Sequence, residues 1–350
     1  MNNIREYQTT HEFINFSLNL KAADYKLWLL LGAAESKCKH LAGIPLRPEK
    51  QQELNQISLK KGVRATTAIE GNTLTEAEIE KIYKGDDEGI GQSRKYQVQE
   101  IKNVLTAYNE IVESIKKGEP VKITVEELKK ENAQILEGVD LDENVVAGEL
   151  REFSVTVGNV YKGAPAADCE YLLERLMNWL LSDWGFPKEY ELVEGILKAI
   201  MGHLYVVWIH PFGDGNGRVA RLLEFRLLMK AGVPLTAAHL LTSYYNDTRD
   251  RYYDKLKKSS RVENGDIEFV IYALQGFVDG LDKQINEILE EQLNITWENY
   301  IYETGFAGDI EIGVKLNFLK ALLSHCFKKA SYVPVVFDIP IIVSNKDARR

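Results

Sequence analysis

Along most of the chain apolar positions recur with a period near 3.6, with Leu, Ala, Glu and Lys abundant, a pattern that predicts helices. Tyr96 to Ile115 and Thr124 to Leu136 are two such segments, and few runs alternate with period two. Ile196 to Ile209 (ILKAIMGHLYVVWI) is apolar on nearly every side, as expected of a helix buried in the middle of a domain. Arg218 to Lys230 is helical again and stops at Gly232 with Pro234 beyond, a normal C-terminal signal. One segment breaks the helical rule: Phe153, Val155 and Val157 alternate with Ser154 and Thr156 before Gly158-Asn159, and Val160-Tyr161 follows. This predicts a short β-hairpin. Helical periodicity resumes at Tyr190 and is expected to end near Gly280, and the chain finishes in the β-rich run YVPVVFDIPIIVSN.

The pattern is interrupted at KKGEP and restarts at Thr124, which suggests a boundary after Lys117. The expected organisation is an N-terminal helical region at 1–117, a core at 118–282 and a C-terminal extension at 283–350 without an assigned role. With 350 residues the chain can bury a sizeable core. A net charge of -9, from 52 acidic and 43 basic residues, offers no basic stripe to grip a phosphate backbone, so nucleic acid is not an expected partner. Cys38, Cys169 and Cys326 are far apart and lack metal or redox spacing. His11, His40, His239 and His325 join no ligand-spaced cluster either. The first residues are polar and charged, and no stretch is expected to approach about 18 apolar residues. The expectation is a cytoplasmic protein with no membrane partner.

The chemistry concentrates in His210 to Arg221, HPFGDGNGRVAR, between two core helices. Gly213, Gly215 and Gly217 allow backbone N–H groups to converge on an anion at the positive end of the following helix. Arg218 and Arg221, three apart, share a helix face where guanidinium forks can grip phosphate oxygens. Asp214 supplies a hard oxygen suited to magnesium. His210 is the one group there whose ordinary pKa of about 6.5 lets it take a proton near neutrality. Together these describe a phosphate-transfer site, in which positioning and charge neutralisation do most of the chemistry.

The same stretch resembles the Fic motif, H-x-F-x-D/E-G-N-G-R-x-x-R, with every fixed position filled. The resemblance runs from about residue 60 to 280. It implies a mainly α, Fic-type helical bundle with a small hairpin flap, using ATP and Mg2+ to transfer AMP to a Ser, Thr or Tyr hydroxyl of a target protein. By the same resemblance His210 is the general base, Phe212 anchors the loop and Asp214 holds the metal. Gly215, Asn216, Gly217 and Arg218 hold the α- and β-phosphates, with Arg221 at the γ-phosphate. His203 lies seven residues before His210, and Tyr252 and Tyr253, in YYDKL, resemble the segment bordering the adenine pocket. A homodimer is also implied.

Thr66 to Asn72 (TTAIEGN) resembles the family's inhibitory motif, S/T-x-x-x-E-G/N. Its helix is expected to end at Gly71, before a capping box at Thr75-Glu76-Ala77-Glu78. Glu70 then sits at the negative end of a helix, where a carboxylate is disfavoured by roughly 0.3–1 kcal/mol and gains from a cationic partner. The resemblance names that partner as Arg221. It also allows a second use of Glu70, positioning water to remove AMP from a modified target. Gly148 to Asn159 resembles the flap, so that Val155, Thr156, Val157 and Gly158 would register a target through main-chain hydrogen bonds. Rival readings are a Fic-type enzyme transferring phosphate or phosphocholine, or a nucleotide-sensing regulator with little turnover. Phosphate-transferring relatives tend to carry Lys where this chain has Gly217, and a non-catalytic regulator would have no need of His210.

Overall fold

A computed structural model describes residues 4–157 and 161–303. Its helices are α1 (Tyr7–Thr10), α2 (Tyr25–Gly43), α3 (Pro48–Ile69), α4 (Glu76–Tyr83), α5 (Lys95–Lys116) and α6 (Val125–Ile135). A two-stranded hairpin follows, β1 (Thr156–Val157) and β2 (Tyr161–Lys162). Then come α7 (Cys169–Leu181), α8 (Glu191–Ile209), α9 (Asn216–Lys230), α10 (Leu240–Asp247), α11 (Arg249–Ser259) and α12 (Gly265–Glu303). The protein is mainly helical, with this small antiparallel sheet the only one among the described residues.

α8 and α9 form the central pair. α2 and α7 flank α8, while α3, α5 and α6 pack on α9 and α10 packs on α3. From Ile196 to Ile209 only Lys198 is not buried, which matches its all-round apolar sequence. That sequence goes further than the expected absence of a long apolar stretch. Lys188–Ile209, with a mean hydropathy of 1.5, is long and apolar enough to cross a membrane by length and composition, yet 78% of its window is buried inside the protein. Its apolar surface is covered by helices of the same unit. On the α6 side the buried Arg226 donates to Glu131 (3.1 Å from Nε) and to Glu127 (3.3 Å), fastening α9 to α6.

Met1–Glu287 forms one compact unit and Ile288–Arg350 another. The break expected after Lys117 does not separate units: Gly118, at φ 72, turns the chain between α5 and α6, which pack on each other. The helix expected to end near Gly280 continues as α12 to Glu303. The glycines there are packing points rather than stops. A Cβ on Gly276 would lie 2.0 Å from the Tyr244 ring, and one on Gly280 would lie 3.1 Å from Leu240, so they admit α10 against α12.

The hairpin is shorter than the alternation predicts. β1 and β2 pair with Thr156 opposite Lys162 and Val157 opposite Tyr161, and Gly163 N donates to Val155 O at 3.0 Å. Phe153 stays outside the strand because its carbonyl accepts a 2.6 Å bond from the Arg151 side chain, which bends the chain there. Gly158 and the YVPVVFDIPIIVSN run lie outside the described residues.

Candidate active site

α8 ends at His210, whose backbone is left-handed (φ 51, ψ 59). This is a sparsely populated conformation for a non-glycine residue, and Pro211 after it restricts it further. The chain then crosses to Phe212, fully buried and bridged to Leu150, and enters α9 through Gly215 at φ 78. The Asn216 side chain closes this loop, since Phe212 N donates to its Oδ1 and its Nδ2 donates to Phe212 O, both at 2.9 Å. That amide is therefore occupied, and the N–H that Asn216 could offer an anion is its backbone one. Asn132, fully buried on α6, braces the loop from behind by donating to Asp214 O at 2.9 Å and accepting from Gly148 N at 2.9 Å.

His210 Nδ1 lies 3.3 Å from Val207 O, an arrangement that puts the proton on Nδ1 and leaves Nε2 free to accept one. Burial pushes the ring's pKa down to about 4. The Val207 carbonyl, Glu70 and Asp214 pull it up, while Arg151 pulls it down. The ring is thus neutral, the form a general base needs, throughout the neutral range.

The two arginines are both engaged. Arg221, 1% exposed, donates from Nε to Thr66 Oγ1 (2.7 Å) and from Nη2 to Thr66 O (3.0 Å) and Glu70 Oε1 (2.5 Å). Burial raises the Glu70 carboxyl, but Arg221 and, further off, Arg218 more than offset that and hold it below the usual carboxylate range. Arg218 donates to Glu100 Oε1 at 2.7 Å and to Asp214 Oδ1 at 3.2 Å. The other Glu100 oxygen accepts from Asn72 Nδ2 at 2.9 Å. One turn, Glu70 to Asn72, therefore reaches both arginines, the first directly and the second through Glu100. α3 delivers that turn: it ends at Ile69, Gly71 reverses the chain at φ 101, and Thr75 and Glu78 form a capping box that starts α4. Gly217 makes the approach possible, because a Cβ there would sit 2.3 Å from Glu70 Oε1.

Asp214 is half-exposed, with Oδ1 accepting from Gly215 N at 2.5 Å. Among the described residues no group of three or more potential metal ligands exists, so any cation here would rest on this carboxylate and on ligand oxygens. Tyr252 does not line an open pocket. It is 2% exposed and its hydroxyl meets His203 Nε2 at 2.9 Å. Behind it His203 Nδ1 is 3.6 Å from Glu224 Oε1, which accepts from Tyr245 at 2.9 Å. Burial pushes His203 well below its ordinary range and Glu224 up to about 8. Tyr253 is the partly exposed member of the pair. Among the described residues, Thr156 and Val157 make backbone hydrogen bonds only within the hairpin, leaving the outer edge of β1 open, whereas Lys162 O on β2 is held by His11 Nε2 at 2.9 Å. A cavity of about 420 Å³ beside β2 is lined by His11, Ser154, Tyr161 and Gly163 among others, and by none of Gly213–Gly217.

Sequence reasoning missed Asn72, Glu100, Asn132 and Arg151. A polar residue on the buried face of α5 or α6 was the signal available for Glu100 and Asn132. Arg151 carried none, because its partners are carbonyls.

Residues 122–228 match the family model Fic/DOC family. Over 242 residues the chain is 28% identical to the protein adenylyltransferase fic-1 of Caenorhabditis briggsae, covering 67% of this chain and 44% of that protein. It is 32% identical over 204 residues to the protein adenylyltransferase Fic of Nematostella vectensis, covering 58% and 43%. The chain thus spans less than half the length of these relatives. A crystal structure of a Fic family protein from Desulfovibrio desulfuricans superposes with a TM-score of 0.60 at 21% identity, covering 76% of each chain. Fic-1 from C. elegans superposes with 0.60 at 22%, covering 75% and 72%. Residues 122–228 are thus similar to the Fic/DOC family, and the helical fold around them is that of the solved Fic proteins.

Proposed function

We propose that this chain is a protein adenylyltransferase, moving AMP from ATP to a Ser, Thr or Tyr hydroxyl of a protein, and that Glu70 inhibits it. The observation carrying this reading is that a neutral His210 with Nε2 free stands at one end of a glycine-rich loop whose other end opens α9 with Arg218 and Arg221. The relatives named protein adenylyltransferase support it.

In the proposed step the acceptor hydroxyl oxygen attacks the α-phosphorus of ATP. An oxygen–phosphorus bond forms as the bond from that phosphorus to the α–β bridging oxygen breaks. Pyrophosphate leaves, and the hydroxyl proton passes to His210 Nε2. Arg218 and the N–H groups at the start of α9 neutralise the phosphates. Asp214 would hold magnesium. It fits because its carboxylate is half-exposed, and this ion is ordinarily held by one or two carboxylates together with substrate phosphates. When bound, the ion adds positive charge where the leaving pyrophosphate gathers negative charge. Glu70 on Arg221 withholds the γ-phosphate's cation, so ATP lies with its α-phosphate out of line. The open edge of β1 would register the target strand. The free, buried thiols of Cys38 and Cys169 suit a reducing cytoplasm.

The test is incubation of the Glu70→Gly protein with magnesium and ATP labelled at the α- or the γ-phosphate, followed by intact mass. Retention of the α-label with a gain of one AMP, lost on His210→Ala, supports the reading. Retention of the γ-label would make the protein a kinase, and no label would make it a nucleotide binder.

A further inference from the structure

Arg151 is 4% exposed, and among the described residues no carboxylate lies within 4 Å of it. A buried guanidinium without a counter-ion is costly, and burial accordingly pushes its pKa below the ordinary arginine value. It is surrounded by carbonyls instead. Nε donates to His210 O at 2.7 Å, Nη1 to Phe153 O at 2.6 Å, and Nη2 to Ile209 O at 3.3 Å and to Ala164 O. The backbone N of Arg151 donates to Pro211 O at 3.0 Å. Three consecutive carbonyls, at 209, 210 and 211, are therefore fixed by one residue. Two of them belong to the end of α8, where the helix dipole is negative and compensates the charge.

The other two partners, Phe153 and Ala164, stand at the two legs of the hairpin, just outside β1 and β2. One planar fork thus ties both legs to the residue proposed as the base. His210 has a left-handed backbone and precedes a proline, a conformation that persists only where its surroundings hold it. Releasing its carbonyl would let the peptide relax, turn the ring away from Val207 O and swing Nε2 away from the hydroxyl it must meet.

We propose that Arg151 is a positioning residue for transfer, a carbonyl clamp that fixes the His210 backbone and locks it to the hairpin on which the acceptor would dock. The proposal rests on the adenylyltransferase reading for its kinetic consequence, but its geometric content can be read separately. A lysine keeps the charge and loses the fork, because one ammonium cannot span carbonyls on both hairpin legs and on α8.

The experiment compares Glu70→Gly with Glu70→Gly/Arg151→Lys and Glu70→Gly/Arg151→Met, following self-modification against ATP concentration. The maximal rate should fall at least tenfold in both double variants, with half-saturating ATP changed less than twofold, since Arg151 touches neither Arg218 nor Arg221. A lysine variant at the parental rate, or one losing ATP affinity in step with rate, overturns the clamp. In parallel, ¹⁵N-histidine spectra, assigned with His210→Gln, should show Nδ1-protonated His210 in the parent and a mixture of tautomers in the folded Arg151→Lys protein. Unchanged tautomers overturn the proposal too. A parent that takes no label refutes the adenylyltransferase reading, while the histidine spectra still decide the clamp.

Discussion

Glu70 Oε1 accepts a 2.5 Å hydrogen bond from Arg221 Nη2 across 151 residues of sequence, and Arg221 is otherwise held by Thr66 of the same helix end. With Arg221 only 1% exposed and Glu70 33% exposed, the carboxylate is the movable partner. Any phosphate that reaches this guanidinium must displace it. A hydrogen bond to a charged group contributes about 1.5–3 kcal/mol, so Glu70→Gly should raise ATP affinity and self-modification roughly ten- to hundredfold. Calorimetry and α-label incorporation measure the two effects, and equal values for wild type and variant would remove Glu70 from the regulation of this site.

Gly217 provides a second way to disturb the same contact. A Cβ at this position falls 2.3 Å from Glu70 Oε1, so Gly217→Ala and the observed carboxylate position are incompatible. The side-chain end, being flexible, has to give way. In a four-protein cycle the gain in ATP affinity from Glu70→Gly should therefore be smaller in the Gly217→Ala background than in wild type. An unchanged gain would mean that the approach of Glu70 to Gly217 has no energetic weight.

Much of this site was legible because its chemistry is local. His210 to Arg221 is contiguous, and the helices on either side announce themselves by period, so the loop's position followed from the pattern alone. The stop of α3 before Gly71 and the Thr75 cap were legible for the same reason, as side-chain and backbone signals within a few residues. The Glu70–Arg221 pairing is not local and came only from the family resemblance. Arg151 was invisible, because its partners are main-chain carbonyls, which every residue carries. Tyr252, in the segment that resembles the border of the adenine pocket, packs on His203, a placement not legible in sequence, since an aromatic beside a site looks the same there whether its face is open or packed. The helix end expected near Gly280 lies instead at Glu303, and Gly276 and Gly280 admit α10 there without ending α12.

The depressed basicity of His210 has a direct kinetic signature. At its ordinary pKa of about 6.5, a catalytic histidine would have lost about three-quarters of its base form at pH 6. Burial holds this ring at about 4, and Glu70 is one of the groups pulling it upward, so Glu70→Gly should lower it further. The kcat/KM of the Glu70→Gly protein for AMP transfer should be flat from about pH 8 down to pH 6 as far as the base is concerned. A fall governed by a pKa near 6.5 would show that the ring in the free enzyme is solvated and that Nε2 is not held as described.

His239 offers a stability test outside the chemistry. It is 5% exposed, and burial, with Lys61 acting in the same direction, pushes its pKa down to about 3 against the pull of the Thr236 carbonyl. Between the ordinary value of 6.5 and about 3 the unfolded chain binds a proton here that the folded chain does not. Stability therefore rises with pH through that window, and the contribution is complete above 6.5 and lost as pH falls toward 3. At pH 5 the loss from this one group is about 2 kcal/mol relative to pH 7.5. The residue lies outside the loop in sequence, at the start of α10, with its Cβ facing Gly62 of α3. Denaturant unfolding of wild type and His239→Gln at both pH values should show the variant losing about 2 kcal/mol less on acidification. Parallel losses in the two proteins would mean that His239 takes up its proton without unfolding.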